Sequence, residues 1–128
     1  MSDSTTTRHR NRPLAYISGP ISKGDRADNI TRAVEAFRWL IELGYAPHCP
    51  QLSIYAEDWH ACEFSHETWM EVDLAWLAHA EIVIRLEGES VGADIEVEAA
   101  LARGARVVYL ARDAGRVRLA DMLTETTR

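Results

Sequence analysis

Two carboxylates carry the chemistry this chain could do. Glu96 closes the segment Ser90-Val91-Gly92-Ala93-Asp94-Ile95-Glu96, which follows the apolar run Ile82-Val83-Ile84. A small-residue loop between a buried strand and a helix start is where α/β proteins hold anions. Gly92, Ala93, Ala99 and Ala100 share the helical face of Glu96 and leave room for a ligand to approach. The positive end of the helix favours an ionised carboxylate, the form a nucleophile requires. The plain alternative is an acid that only stabilises the helix dipole, and spacing does not choose between the two.

Asp73 is the second carboxylate, on a helical face shared with Trp69, Trp76 and Leu77. An acid among aromatics is either partly buried with a raised pKa or a solvated edge residue. With Glu96 it forms the kind of pair that glycosidic bond cleavage uses, one group at the anomeric carbon and one handling the proton. Ser90, Val91 and Gly92 add a hydroxyl and backbone N–H groups suited to a phosphate, or else a turn with a serine N-cap. The stretch Asp58 to Glu67 holds ligand-type residues, including His60, Cys62 and His66, but no second cluster completes a metal site. Neither metal nor cofactor is expected. An aromatic lid over a base, with Trp59 or Phe64 stacking, and a surface loop with a buried tryptophan fit that stretch equally.

These residues need elements to place them. Leu14–Ser18 reads as a buried strand ended by Gly19-Pro20. Ile30, Ala33, Val34, Phe37, Leu40 and Ile41 recur at helical spacing, so a helix is predicted over Ala27–Leu43, stopped by Gly44. Tyr45–Cys49 is a second strand, shortened or at an edge because of Pro47. Residues 50–66 show no clean period and read as a long loop with at most a helical turn. A helix over Glu67–His79 is expected to start with a Thr68–Glu71 capping box. Ile82–Leu86, Gly92–Arg103 and Arg106–Leu110 read as strand, helix and strand, with a short last helix over Val117–Leu123. The alternation predicts an α/β single-domain, doubly wound parallel sheet, flavodoxin-like or Rossmann-like, with helices on both faces. Right-handed crossovers favour the strand order 2-1-3-4. The ligand crevice then lies beyond the ends of the first and third strands, where Ser18-Gly19-Pro20 and Glu87 to Gly92 converge.

At 128 residues the chain is long enough for one core and too short for two. Its net charge of −6 disfavours nucleic-acid or membrane-surface binding. Residues 1–13, with Arg8-His9-Arg10-Asn11-Arg12, read as a disordered, solvated basic tail, and residues 14–128 as the domain. Cys49 and Cys62 are too few for a disulfide scaffold, and reduced thiols in a cytoplasmic protein are the simplest expectation.

Three segments resemble the nucleoside 2-deoxyribosyltransferase superfamily, and within it the branch of 2′-deoxynucleoside 5′-phosphate N-hydrolases and pyrimidine-nucleotide N-glycosidases. Tyr16-Ile17-Ser18-Gly19-Pro20-Ile21 is similar to that family's first strand and sugar-touching loop. Asp73-Leu74-Ala75-Trp76-Leu77 with Glu81-Ile82-Val83-Ile84 resembles its Asp-Leu-x-Trp-Leu helix and following strand. Ser90 to Glu96 fits its Ser-x-Gly-x-x-x-Glu pattern. The resemblance implies Glu96 as nucleophile, Asp73 as assisting acid and Tyr16 as the group orienting Glu96. It also implies Gly19, Pro20, Ile21, Ser90 and Gly92 as substrate-binding residues, with Ser90 on a 5′-phosphate. The implied activity is an N-glycosidase on a nucleoside monophosphate or nucleoside, with a deoxyribosyltransferase or a silent nucleotide-binding module as alternatives. A homodimer or larger homo-oligomer is implied too. Glu98 and Glu81 depart from the family's usual residues, and the C-terminal part has no counterpart in the pattern.

Overall fold

The computed structural model describes residues 11–60 and 63–125. β1 (Leu14–Ser18) leads to α1 (Arg26–Glu42) and β2 (Ala46–His48). A 3₁₀ turn (Pro50–Ser53), α2 (Ile54–His60) and α3 (His66–Leu77) follow. The chain then runs through β3 (Ile82–Leu86), α4 (Val91–Ala102), β4 (Arg106–Leu110) and α5 (Arg116–Glu125). All three strand pairings are parallel and the order is β2-β1-β3-β4, the doubly wound α/β arrangement expected from the alternation.

Successive side chains on a strand point to opposite faces, and here that alternation separates core from site. Ala15, Ile17, Ile82, Ile84, Leu86, Val108 and Leu110 face one way, packing with Ala33, Ala36 and Leu40 of α1 and Leu119 and Leu123 of α5. Tyr16 and Val83 face the other way, against Leu77, Ala80 and Ala100, which belong to α3, the turn after it and α4. The main hydrophobic core therefore lies under α1 and α5. The opposite face is thinner, and polar groups enter it.

The helix ends are built from local chemistry. Asp25 caps α1 by accepting from the Asp28 N–H at 3.1 Å. At its other end Gly44 takes φ +99°, so the Gly44 N–H reaches the Ile41 carbonyl at 3.1 Å and the Tyr45 N–H reaches that of Leu40 at 2.9 Å. That pair of hydrogen bonds is the Schellman stop, and a side chain at Gly44 would strain it.

Three local expectations are corrected. Residues 50–66 are not a long loop: the 3₁₀ turn and α2 fill much of the segment. The helix leaves little trace in the sequence because Ile54 is its one buried apolar anchor, while Tyr55 and Trp59 stay exposed. It is fixed in part from outside, by the Arg26 guanidinium on both Asp58 carboxylate oxygens at 3.1 and 3.2 Å. The Thr68–Glu71 capping box does not form: α3 starts one turn earlier, at His66, where the Ser65 hydroxyl caps it by accepting from the Thr68 N–H at 3.1 Å. The expected tail also ends sooner: Arg12 donates to the carbonyls of Ile41 and Tyr45 at 3.0 and 2.8 Å. The rest of the basic run, through Arg10, lies outside the described residues, as does Cys62.

Candidate active site

The loops after β1 and β3 meet because two glycines let them. A Cβ at Gly19 would lie 2.9 Å from that of Leu86. One at Gly88, whose φ is +139°, would lie 2.7 Å from Pro20 Cγ. Arg85 then staples the second loop from inside. This buried guanidinium donates to the carbonyl of Leu86, to that of Gly88 at 2.9 Å, and to the Asp94 carboxylate at 3.0 Å. Asn29 holds the first loop by donating to the carbonyls of Ile21 and Lys23 at 3.1 and 2.8 Å.

Beyond these loops opens a cavity of about 480 Å³, with a wall that includes Glu96, Asp73, Gly19, Ile21, Ser90 and Gly92. Seven of the eight residues singled out from the sequence therefore belong to one site: six on the wall and Tyr16 behind it. Pro20 is also off the wall, and its ring packs on Gly88. Ser90 has the bland role as well, because its hydroxyl caps α4 by accepting from the Ala93 N–H at 3.0 Å.

Glu96, in the second turn of α4, is only 6% exposed. Tyr16 donates its hydroxyl to Oε2 at 2.7 Å and Ser18 donates to Oε1 at 2.7 Å. The alternation of β1 puts both donors on the α4 side of the sheet, two residues apart. Burial pushes the Glu96 carboxyl upward from its ordinary pKa, while the Tyr16 and Ser18 hydroxyls and the nearby Arg85 charge pull it back down. Each oxygen is thus held by a fixed donor, which favours the charged form and sets the carboxylate's orientation. The Tyr16 phenol is pushed far above its usual range, by burial first and the Glu96 charge second, so it remains a donor.

Asp73 reaches the same cavity from α3. Burial, with the Glu96 charge second, raises its carboxyl from 3.8 to about 7. Burial raises both carboxyls, but only Glu96 has hydroxyl donors and a nearby cation pulling it back, an asymmetry of the kind that separates a nucleophile from a general acid. Behind them His48 stacks on Trp76, with ring centroids 5.0 Å apart and 18° between planes, and it also contacts Tyr16. Burial lowers the His48 pKa.

Four site residues escaped the sequence reading. Ser18 could have been found from its i, i+2 relation to Tyr16. Arg85 carries no signal of its own in the sequence, where it is a single polar residue within an apolar strand. Gln51 and Glu57 line the cavity from the segment read as a loop. Gln51 is fully enclosed, and its carboxamide oxygen accepts from the Cys49 thiol at 3.4 Å. Burial pushes that thiol up to about 11. Among the described residues no group of three or more His, Cys, Asp or Glu side chains gathers in a way that could hold a metal, and no helix is long and apolar enough to cross a membrane.

No protein-family model matches the chain, and no curated protein sequence matches it either.

Proposed function

We propose that this protein cleaves the N-glycosidic bond of a nucleoside or nucleoside 5′-monophosphate, with Glu96 as the nucleophile. One observation carries the reading: a buried carboxylate on a cavity wall, with a hydroxyl donor fixed on each oxygen. Such a group has one face left for a ligand and little freedom to turn, which is what attack at an anomeric carbon needs. In the proposed step Glu96 bonds to C1′ as the C1′–N bond breaks. The bonding pair leaves with the base, which takes the proton of Asp73. Water then attacks the glycosyl ester, returns the Glu96 carboxylate and reprotonates Asp73.

Incubation with a panel of nucleosides and nucleoside monophosphates, with released base read by chromatography, tests the proposal. Glu96→Ala is expected to abolish release while the circular dichroism spectrum stays native. Retained turnover ends the assignment. In the transferase version a second base takes the place of water, and added free base would then speed sugar consumption and appear in product. In a silent binding module, ligand would bind and no base would appear over long incubation. The same reading includes a homo-oligomer, to which the exposed Val72 and Trp76 of α3 and Val91 and Ile95 of α4 offer apolar surface; sedimentation equilibrium measures it. It also includes a cytoplasmic setting, which suits the free, buried Cys49.

A further inference from the structure

The cavity wall carries four carboxyl groups from three helices and a loop: Glu57, Glu89 and Glu96, beside Asp73, which burial keeps protonated to near neutrality. Lys23 is the one lysine or arginine on that wall among the described residues, and it is mostly exposed and paired with Glu89 at 3.8 Å. Arg85 acts on Glu96 from behind the wall, but it does not line the cavity and its donors are committed to Leu86, Gly88 and Asp94, so it offers a ligand no contact. A partly enclosed space with this lining concentrates cations, and of the two substrates proposed above it favours the nucleoside over its 5′-monophosphate.

A second observation of a different kind points the same way. Phe64 and Trp69, both on the wall, meet edge to face with centroids 5.7 Å apart and planes at 85°. Perpendicular aromatic walls beside carboxylates are the surroundings in which a delocalised or alkylated nitrogen cation is held. Gln51, 1% exposed, shares this cavity; with its oxygen occupied by the Cys49 thiol, its carboxamide N–H groups have no acceptor among the described residues. They suit an oxygen substituent on the heterocycle.

We propose that the site prefers N-glycosides whose heterocycle is positively charged, such as pyridinium or N-alkylated purine ribosides, over neutral nucleosides. The chemical step rests on the glycosidase reading; the binding preference does not. With such a substrate Glu96 bonds to C1′ and the electron pair of the breaking C1′–N bond returns to the ring nitrogen. That cancels its charge, and a neutral heterocycle leaves without a proton. Water then cleaves the glycosyl ester and returns the Glu96 carboxylate, and the proton released passes to solvent.

The binding test uses the full chain carrying Glu96→Gln, which keeps ligands intact. Titration calorimetry compares the 3-carbamoylpyridinium riboside with its uncharged isostere, the benzamide C-riboside. The cation is expected to bind about tenfold tighter or more. Added salt and Glu57→Gln should each shrink that ratio. Equal or weaker binding of the cation, or a ratio indifferent to Glu57→Gln, overturns the proposal. On the native chain, cleavage of neutral nucleosides with no preference for the cation also overturns it while leaving the glycosidase reading in place. Selective binding of the cation with no cleavage of either class supports the preference and sinks the glycosidase reading instead.

Discussion

Replacing Tyr16 by phenylalanine removes one hydroxyl and should move the acid limb of the pH–rate profile upward. The hydroxyl donates to Glu96 Oε2 at 2.7 Å inside the protein. A hydrogen bond to a charged group contributes about 1.5–3 kcal/mol, and one pKa unit corresponds to about 1.4 kcal/mol. The loss therefore raises the proton affinity of Glu96 by about 1–2 units. The sign follows from the balance at Glu96, where burial raises the pKa and Tyr16, Ser18 and Arg85 oppose it. A nucleophilic carboxylate works only when ionised, so the variant needs a higher pH to reach half its maximal kcat/KM. Asp73 must stay protonated and loses its proton at about 7, so the working window also narrows and the maximum drops. Base release measured from pH 4 to 9 gives the profile, and ¹³C-glutamate NMR follows Glu96 directly. Ser18→Ala should act in the same direction through the other oxygen. The double variant should depart from additivity, because both donors serve one carboxylate. An unmoved acid limb in a natively folded Tyr16→Phe protein would refute the assignment of Glu96 as the ionising nucleophile.

Asp73→Asn should cut turnover of neutral nucleosides, and it should also flatten the pH dependence of stability. The folded carboxyl titrates at about 7 against the ordinary 3.8, so between those values the folded state binds more protons than the unfolded one. Stability contributed by Asp73 is full below 3.8, falls as pH rises through about 7, and is flat above; urea unfolding at pH 5 and pH 8 reads the slope in both proteins. Gly88→Ala places a Cβ 2.7 Å from Pro20 Cγ at φ +139° and should cost about 1–3 kcal/mol, with a matching loss of kcat/KM. A denaturation midpoint equal to the parent's would show that the two loops do not meet as described. Arg85→Met removes a cation that lowers the Glu96 pKa and frees the Gly88 carbonyl, so the acid limb should again rise; an acid limb at or below the parent's contradicts the electrostatic role.

Much of this molecule is written in short-range pattern. β1, β3 and β4 fall where the apolar runs put them, because strands enclosed by helices must be apolar along nearly their whole length. The α1 helix announces itself by a 3.6-residue period and by a glycine that can adopt positive φ. Handedness of crossovers then leaves few sheet orders, and 2-1-3-4 is the one adopted. The position of Glu96 near the start of α4 follows from the loop before it. Tertiary structure alone decided what surrounds that carboxylate. Its two donors lie 80 and 78 residues away, and they reach it only through the β1–β3 register and the packing of α4 on the sheet. The same holds for α2, whose outward aromatics conceal its helical period, and for Arg85, whose burial depends on a loop folding back over it. Periodicity reports which face of an element is covered; it carries no record of which distant side chain does the covering.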